Sequence, residues 1–183
     1  MADLREEALR WVRPGRILEV GCGTGWLTAE LAERGPALGV DLVPEAIETA
    51  RQRGSKAEFM AGDFLSMEIP GTFSLAISVD AIAHVPDQAA FVRRVADLLE
   101  PGGLFVLLTQ NEFVYRRTSW IRPPEPGQIR RWPGIGELRQ TLSRDFELLS
   151  VHSAAPFAGD RGLMRLANSF VWPVLRRITG RTV

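Results

Sequence analysis

From residue 16 onward, short runs of consecutive apolar residues alternate with segments whose apolar positions recur every three or four residues. The runs RILEV (16–20), ALGVDL (37–42), AEFMAGD (57–63), SLAISVD (74–80) and LFVLLT (104–109), with FELLSVHSA (146–154) as a sixth, predict strands. Several are apolar throughout, as strands covered on both faces are. The stretches 26–34, 45–53, 88–100 and 135–144 predict helices between them. Gly35 and Gly54 fall just past two helix ends, Pro44 suits a first helical turn, and EPGG at 100–103 stops a third helix. This alternation predicts an α/β fold, a doubly wound and mainly parallel sheet with helices on both faces.

The pattern changes after Gln110. The stretch EFVYRRTSWIRPPEPGQIRRWPGIG holds four prolines, two tryptophans and five arginines. Such a composition resists regular structure yet is too aromatic for a solvated linker, so 113–144 reads as an insertion packing over the core. Tyr115, Trp120 and Trp132, with Arg116, Arg117, Arg122, Arg130 and Arg131, are candidates for a lid over an aromatic or carboxylate-bearing molecule or, equally, anchors of an irregular segment. Beyond the sixth strand, Leu163, Leu166, Ala167, Phe170, Val174 and Ile178 share one helical stripe, so 145–183 is expected to hold that strand and an amphipathic helix kinked at Pro173.

A chain of 183 residues is expected to form one domain. The charged N-terminus lacks a signal-peptide core, and no apolar run is long enough to span a membrane, which makes the cytoplasm the expected compartment. The lone Cys22 excludes an internal disulfide, and with only His84 and His152 beside it no metal site is expected. The net charge of zero hides a split, since residues 1–112 carry 10 basic and 17 acidic side chains and residues 113–183 carry 12 and 5. Two halves that neutralise each other explain this more simply than a basic surface facing an anionic partner.

The stretch ILEVGCGTGW, 17–26, runs from a buried strand into Gly21, Gly23 and Gly25. In an open parallel sheet the loop after the first strand lies in the ligand crevice, and glycines there let a ligand approach the main chain. A dinucleotide and S-adenosylmethionine compete for such a loop. A dinucleotide fingerprint needs its third glycine three residues after the second, where this chain has the bulky Trp26.

With Glu19 before its glycines, EVGCGTG resembles the first motif of the class I S-adenosylmethionine-dependent methyltransferases. Further stretches resemble that family in order and spacing: GVDLVPEAIETAR, AGDF, AISVDAIAHVPD and FVRRVADLLEPGGLFVLL. AHVPD and LEPGG are similar to the small-molecule branch that includes the ubiquinone-pathway O-methyltransferases. The likeness covers residues 14–112 and implies a Rossmann-like fold, with 1–112 as the cofactor-binding core. It also implies S-adenosylmethionine as cofactor and S-adenosylhomocysteine as product.

The resemblance assigns Asp41 to the ribose hydroxyls, Asp63 and Phe64 to the adenine, and Val79 and Asp80 to the mouth of the fourth strand. Leu42 lies against the adenine or packs. Glu19 orients the loop or the methionine end, and Cys22 is a small residue within the loop. His84 is the one candidate general base, because an imidazole can take the proton of a hydroxyl acceptor; its other reading is a shaping role in the post-strand loop.

The family closes its sheet with a seventh, antiparallel strand, and this chain stops at GRTV, so that strand is expected to be missing or only starting. The expected function is methyl transfer to a small-molecule hydroxyl or amine by in-line displacement. A noncatalytic cofactor-binding or scaffold protein is the alternative, and an RNA methyltransferase ranks lower, since no nucleic-acid module is recognisable. No nucleic-acid partner is expected. Oligomeric state, and contact of the basic terminal helix with an anionic membrane, are left open.

Overall fold

The structure, a computed structural model, describes residues 9–110, 124–153 and 170–178. In chain order they form β1 (Ile17–Val20), α1 (Trp26–Leu31), β2 (Ala37–Asp41), α2 (Pro44–Gln52), β3 (Glu58–Ala61), β4 (Phe73–Val79), a 3-10 turn (Ala81–His84), α3 (Gln88–Leu98), β5 (Leu99–Gln110), α4 (Ile135–Leu142), β6 (Phe146–Ser153) and β7 (Phe170–Arg177). All six predicted strands and four predicted helices are present. EPGG does end α3, and it forms the irregular start of β5, where the register with β4 jumps from Phe73↔Leu99 to Leu75↔Leu104.

One sheet holds all seven strands in the order β3-β2-β1-β4-β5-β7-β6. Strands β1 to β5 pair in parallel, while β7 runs antiparallel to both β5 and β6. Because β1 lies between β2 and β4, the winding reverses there, and the crevice beyond the carboxyl ends of these strands is where a ligand fits.

Adjacent strand residues serve opposite faces, which is why the central strands are apolar throughout. Leu18, Val20, Phe105 and Leu107 join Phe91, Val95, Leu138 and Leu142 of α3 and α4 on one face, whereas Ile17, Leu75, Ile77 and Val106 join Leu27 and Leu31 of α1 on the other. Helix α2 packs through Ile47 and Ala50 against Phe59 and Cys22. The rings of Phe105 and Phe146, with centroids 5.5 Å apart, tie β5 to β6 across the intervening strand. Burying each ring contributes about 2–3 kcal/mol.

Two expectations for the C-terminal region are corrected. The seventh strand is present as β7, and residues 170–177 extend rather than coil into an amphipathic helix. The helical stripe Phe170, Val174, Ile178 has a spacing of four, which is also a multiple of the strand period of two. Val174 and Leu175 decide between the two periods, because both are fully buried and sit in opposite face clusters. Pro173, expected to kink a helix, lies within the strand instead, paired with Val151 of β6 and in a gap of the β5–β7 ladder between the pairs Val106↔Val174 and Thr109↔Val171. A membrane contact by a terminal helix loses its basis over these residues. Leu163, Leu166, Ala167 and the tail after Ile178 lie outside the described residues.

Candidate functional site

The glycine loop is pinned to the neighbouring strand by main chain. Gly21 and Cys22 both donate their N–H to Val40 O, at 2.8 and 3.1 Å, and Gly25 N–H donates to Cys22 O at 2.9 Å. The three glycines answer different demands. A Cβ on Gly21 would come within 2.4 Å of Ala81 Cβ, and one on Gly25 within 2.6 Å of both Ala50 and Phe59. A Cβ on Gly23 would meet nothing within 4 Å, so this left-handed residue (φ 51°) faces open space. Trp26 is 45% exposed at the loop exit.

Beneath the loop, Glu19 is buried and accepts a hydrogen bond from Thr28 Oγ1 at 2.5 Å. Burial pushes its carboxyl up to about 8, against the opposing pull of Thr28 and with a further push from Asp41. Near neutral pH much of Glu19 is therefore an uncharged acid. Cys22, also buried, has its thiol pushed up to about 12, first by desolvation and then by Glu19 and Asp41, so it is no nucleophile. Gly39 makes room for this cluster, since a Cβ there would lie 2.7 Å from Thr28 Oγ1 and 2.9 Å from Cys22 Sγ.

Asp41 ends β2 with both oxygens turned toward main chain. Its Oδ2 accepts from Gly23 N–H at 2.7 Å and its Oδ1 from Val43 N–H at 2.9 Å. Its carbonyl accepts from Gly62 N–H at 2.9 Å, which brings the turn bearing Asp63 alongside. Asp63 steadies that turn by accepting from Leu65 N–H at 3.0 Å and Ser66 Oγ at 3.2 Å. Phe64 is buried, its ring 5.2 Å from that of Phe91, and belongs to the core. Leu42, at 69%, is well exposed at the rim.

At the end of β4, Val79 is half-buried against the α1 side of the sheet. Asp80 adopts φ 59°, the one left-handed non-glycine among the described residues. That strain is held by Asp80 N–H donating to Leu108 O and by Gln110 Nε2 donating to Asp80 Oδ2, each at 2.9 Å. Its Oδ1 is buried without a hydrogen-bond partner among the described residues. Desolvation pushes this carboxyl up to about 6, partly offset by His84. His84 is exposed at the end of the 3-10 turn, and Nδ1 lies 3.0 Å from Ile129 O. A carbonyl only accepts, so Nδ1 carries a proton, and in the neutral imidazole Nε2 is then the nitrogen with the lone pair.

The expected residues therefore gather on one rim, at the carboxyl ends of β1 to β4. Thr28, Gly39, Gln88, Gln110 and Arg53 were not anticipated. Arg53 holds the far side of the loop, its Nε donating to Thr24 O at 2.6 Å. A glycine inside the strand ALGVD was the one legible sign, since strand glycines mark close approach. Of the arginine- and aromatic-rich stretch, Arg130 lies over the Trp132 ring at 5.3 Å and Arg131 pairs with Glu137. Tyr115, Arg116, Arg117, Trp120 and Arg122 lie outside the described residues.

Residues 17–103 match the family described as Methyltransferase domain. The ubiquinone biosynthesis O-methyltransferase of Xanthomonas campestris pv. campestris is 36% identical over 112 residues, covering 57% of this chain and 47% of that protein. The chain thus spans about half the length of the curated relatives it matches. A crystal structure of an S-adenosylmethionine-dependent methyltransferase from Mesorhizobium loti superimposes with a TM-score of 0.79 at 26% identity, covering 96% of each chain. The N-methyltransferase NodS of Bradyrhizobium japonicum, crystallised with S-adenosyl-l-homocysteine, shares the fold at a TM-score of 0.74 and 20% identity, over 96% of this chain and 86% of that one.

Proposed function

We propose that the chain, which resembles the class I S-adenosylmethionine-dependent methyltransferases over residues 17–103, binds S-adenosylmethionine at the Gly21–Gly25 loop and moves its methyl group to a hydroxyl or amine of a small molecule. The carrying observation is the 2.7 Å bond from Gly23 N–H to Asp41. That bond seats the carboxylate at the loop with lone pairs left for a ribose diol, and Trp26 stands where a dinucleotide loop needs its third glycine.

The residues present fit such a ligand. Gly23 leaves open space and Asp41 offers further lone pairs to a ribose diol, while Asp80 Oδ1 is a buried acceptor that meets no donor among the described residues. Asp63 serves the adenine edge, Leu42 and Val79 supply apolar walls, and Phe64 contributes by packing under the Asp63 turn. Glu19 orients the loop through Thr28, and Cys22 enters through its backbone. When bound, the cofactor supplies an electrophilic methyl carbon on a sulfonium, open to in-line displacement by a lone pair.

His84 accepts the proton of a hydroxyl acceptor at Nε2, with Ile129 O holding Nδ1–H in place. Of the described residues, 9–110 hold the cofactor and 124–144 cover the acceptor. Among the described residues no helix is long and apolar enough to cross a membrane, and a cytoplasmic location suits an enzyme acting on a metabolite. The relatives' name points to a hydroxylated ring as the first acceptor class to try.

The test supplies methyl-labelled donor with phenol, catechol and amine acceptors. Label in one small-molecule class supports the proposal. Binding of S-adenosylhomocysteine with no transfer to any class rejects it in favour of a noncatalytic binding protein.

A further inference from the structure

We infer that Gln88 is a positioning residue that clamps residues 129–131 onto the turn carrying His84 and thereby sets which imidazole nitrogen bears the proton. The value of that setting rests on the reading of His84 as the proton acceptor; the clamp itself does not.

Gln88 is buried at the start of α3. Its side chain is not needed to finish the helix, which is capped by Asp87 Oδ1 accepting from Ala90 N–H at 2.8 Å. Instead Gln88 Nε2 donates to Ile82 O at 3.0 Å and to Arg131 O at 2.7 Å. One NH2 group thus spends its two protons on carbonyls from two segments far apart in sequence. Few side chains can do this in a buried position: glutamate would set oxygens against both carbonyls, and methionine offers no donor.

Two more bonds close the joint. Arg131 N–H donates to Ala83 O at 2.8 Å, and His84 Nδ1–H donates to Ile129 O at 3.0 Å. Ile129 is 43% exposed, so burial of its own side chain does little to fix its carbonyl. What fixes it is the anchoring of Arg131, two residues on, at both its N–H and its carbonyl. A neutral imidazole holds one proton shared between two nitrogens, and the partner of one nitrogen decides the tautomer. Releasing Arg131 therefore frees Ile129 O and moves the proton toward Nε2, where it blocks the lone pair a hydroxyl acceptor needs.

The test is nitrogen–proton NMR of the imidazoles in the full chain, which has two histidines, with His84→Gln identifying the His84 signals. In the unaltered protein His84 carries its proton on Nδ1. In Gln88→Met, and more completely in Gln88→Glu, that signature gives way to a mixture or to the Nε2–H form, while affinity for S-adenosylhomocysteine is unchanged. A Gln88→Met protein that keeps the Nδ1–H signature overturns the clamp. Should the variants not fold, hydrogen exchange in the unaltered chain decides: an Arg131 amide as slow as the core strands supports the clamp, and one exchanging at the free-peptide rate overturns it. If S-adenosylhomocysteine does not bind the unaltered chain, the functional reading fails while the tautomer result stands by itself.

Discussion

On the β1–β2 side of the cleft, main chain holds main chain: Gly21 and Cys22 share Val40 O, and Gly62 reaches Asp41 O. Asp41 then closes the loop from two residues before Val43. Across the cleft, a single main-chain bond, Arg131 N–H to Ala83 O, joins the 81–84 turn to residues 129–131, and side chains remote in sequence supply the rest, namely Gln88, His84 and, behind them, Gln110 on Asp80. The first side is assembled by the sheet itself and is prebuilt for a constant ligand. The second depends on a few replaceable side chains, which is the arrangement expected where an acceptor must be selected without endangering the fold.

Substitutions on the two sides should separate accordingly. The largest effect is expected for His84→Gln, which should lower turnover on a hydroxyl acceptor by about 10²–10⁴-fold while leaving S-adenosylhomocysteine affinity untouched. Equal losses in both would erase the distinction between the sides. Asp41→Ala should do the reverse, weakening S-adenosylhomocysteine binding by about tenfold to a hundredfold in titration calorimetry, since it removes charge-assisted acceptors from ligand and loop together.

The glycines sharpen the contrast within the loop. Gly25→Ala should cost about 2–4 kcal/mol in urea unfolding, from left-handed strain plus a collision with Ala50 and Phe59. Gly23→Ala, with nothing to collide with, should cost only the strain, about 1–2 kcal/mol, and yet lose the cofactor. If Gly23→Ala binds as the unaltered chain does, the open space there is not the ligand's.

Glu19, beneath the loop, separates the two sides by pH. The folded chain keeps this proton up to about 8, whereas an exposed carboxyl releases it near the ordinary value of 4.5. In that window the folded state binds more protons than the unfolded, so stability falls as pH rises through it. Glu19→Gln removes that slope. Its melting temperature should exceed that of the unaltered chain by a margin that widens from pH 5 toward pH 8 and vanishes below about 4.5. A margin independent of pH would place the charge elsewhere.

The same division explains what the sequence allowed to be read. The strands β1, β2 and β4 and the glycine loop follow from local rules, such as apolar runs and punctuating glycines, while Asp41 was singled out through the family resemblance. The clamp does not, because nothing local to Gln88 announces that its amide will meet Arg131 O. Strand β7 was missed for a different reason. A spacing of four fits both helix and strand, and only the pairing of Val174 and Leu175 to opposite faces, decided by β5 and β6 on either side, breaks the tie. Thr28 was equally silent, since its partner Glu19 lies underneath a loop whose path the sequence leaves open.

The central claim is that the glycine loop and Asp41 make a site for a single nucleoside with a free ribose diol rather than for a dinucleotide. Titration calorimetry of the unaltered chain with S-adenosylhomocysteine and, separately, with NAD tests this most directly. Heat from one-to-one binding of S-adenosylhomocysteine and none from NAD is the predicted result; heat from NAD, or none from either, contradicts it.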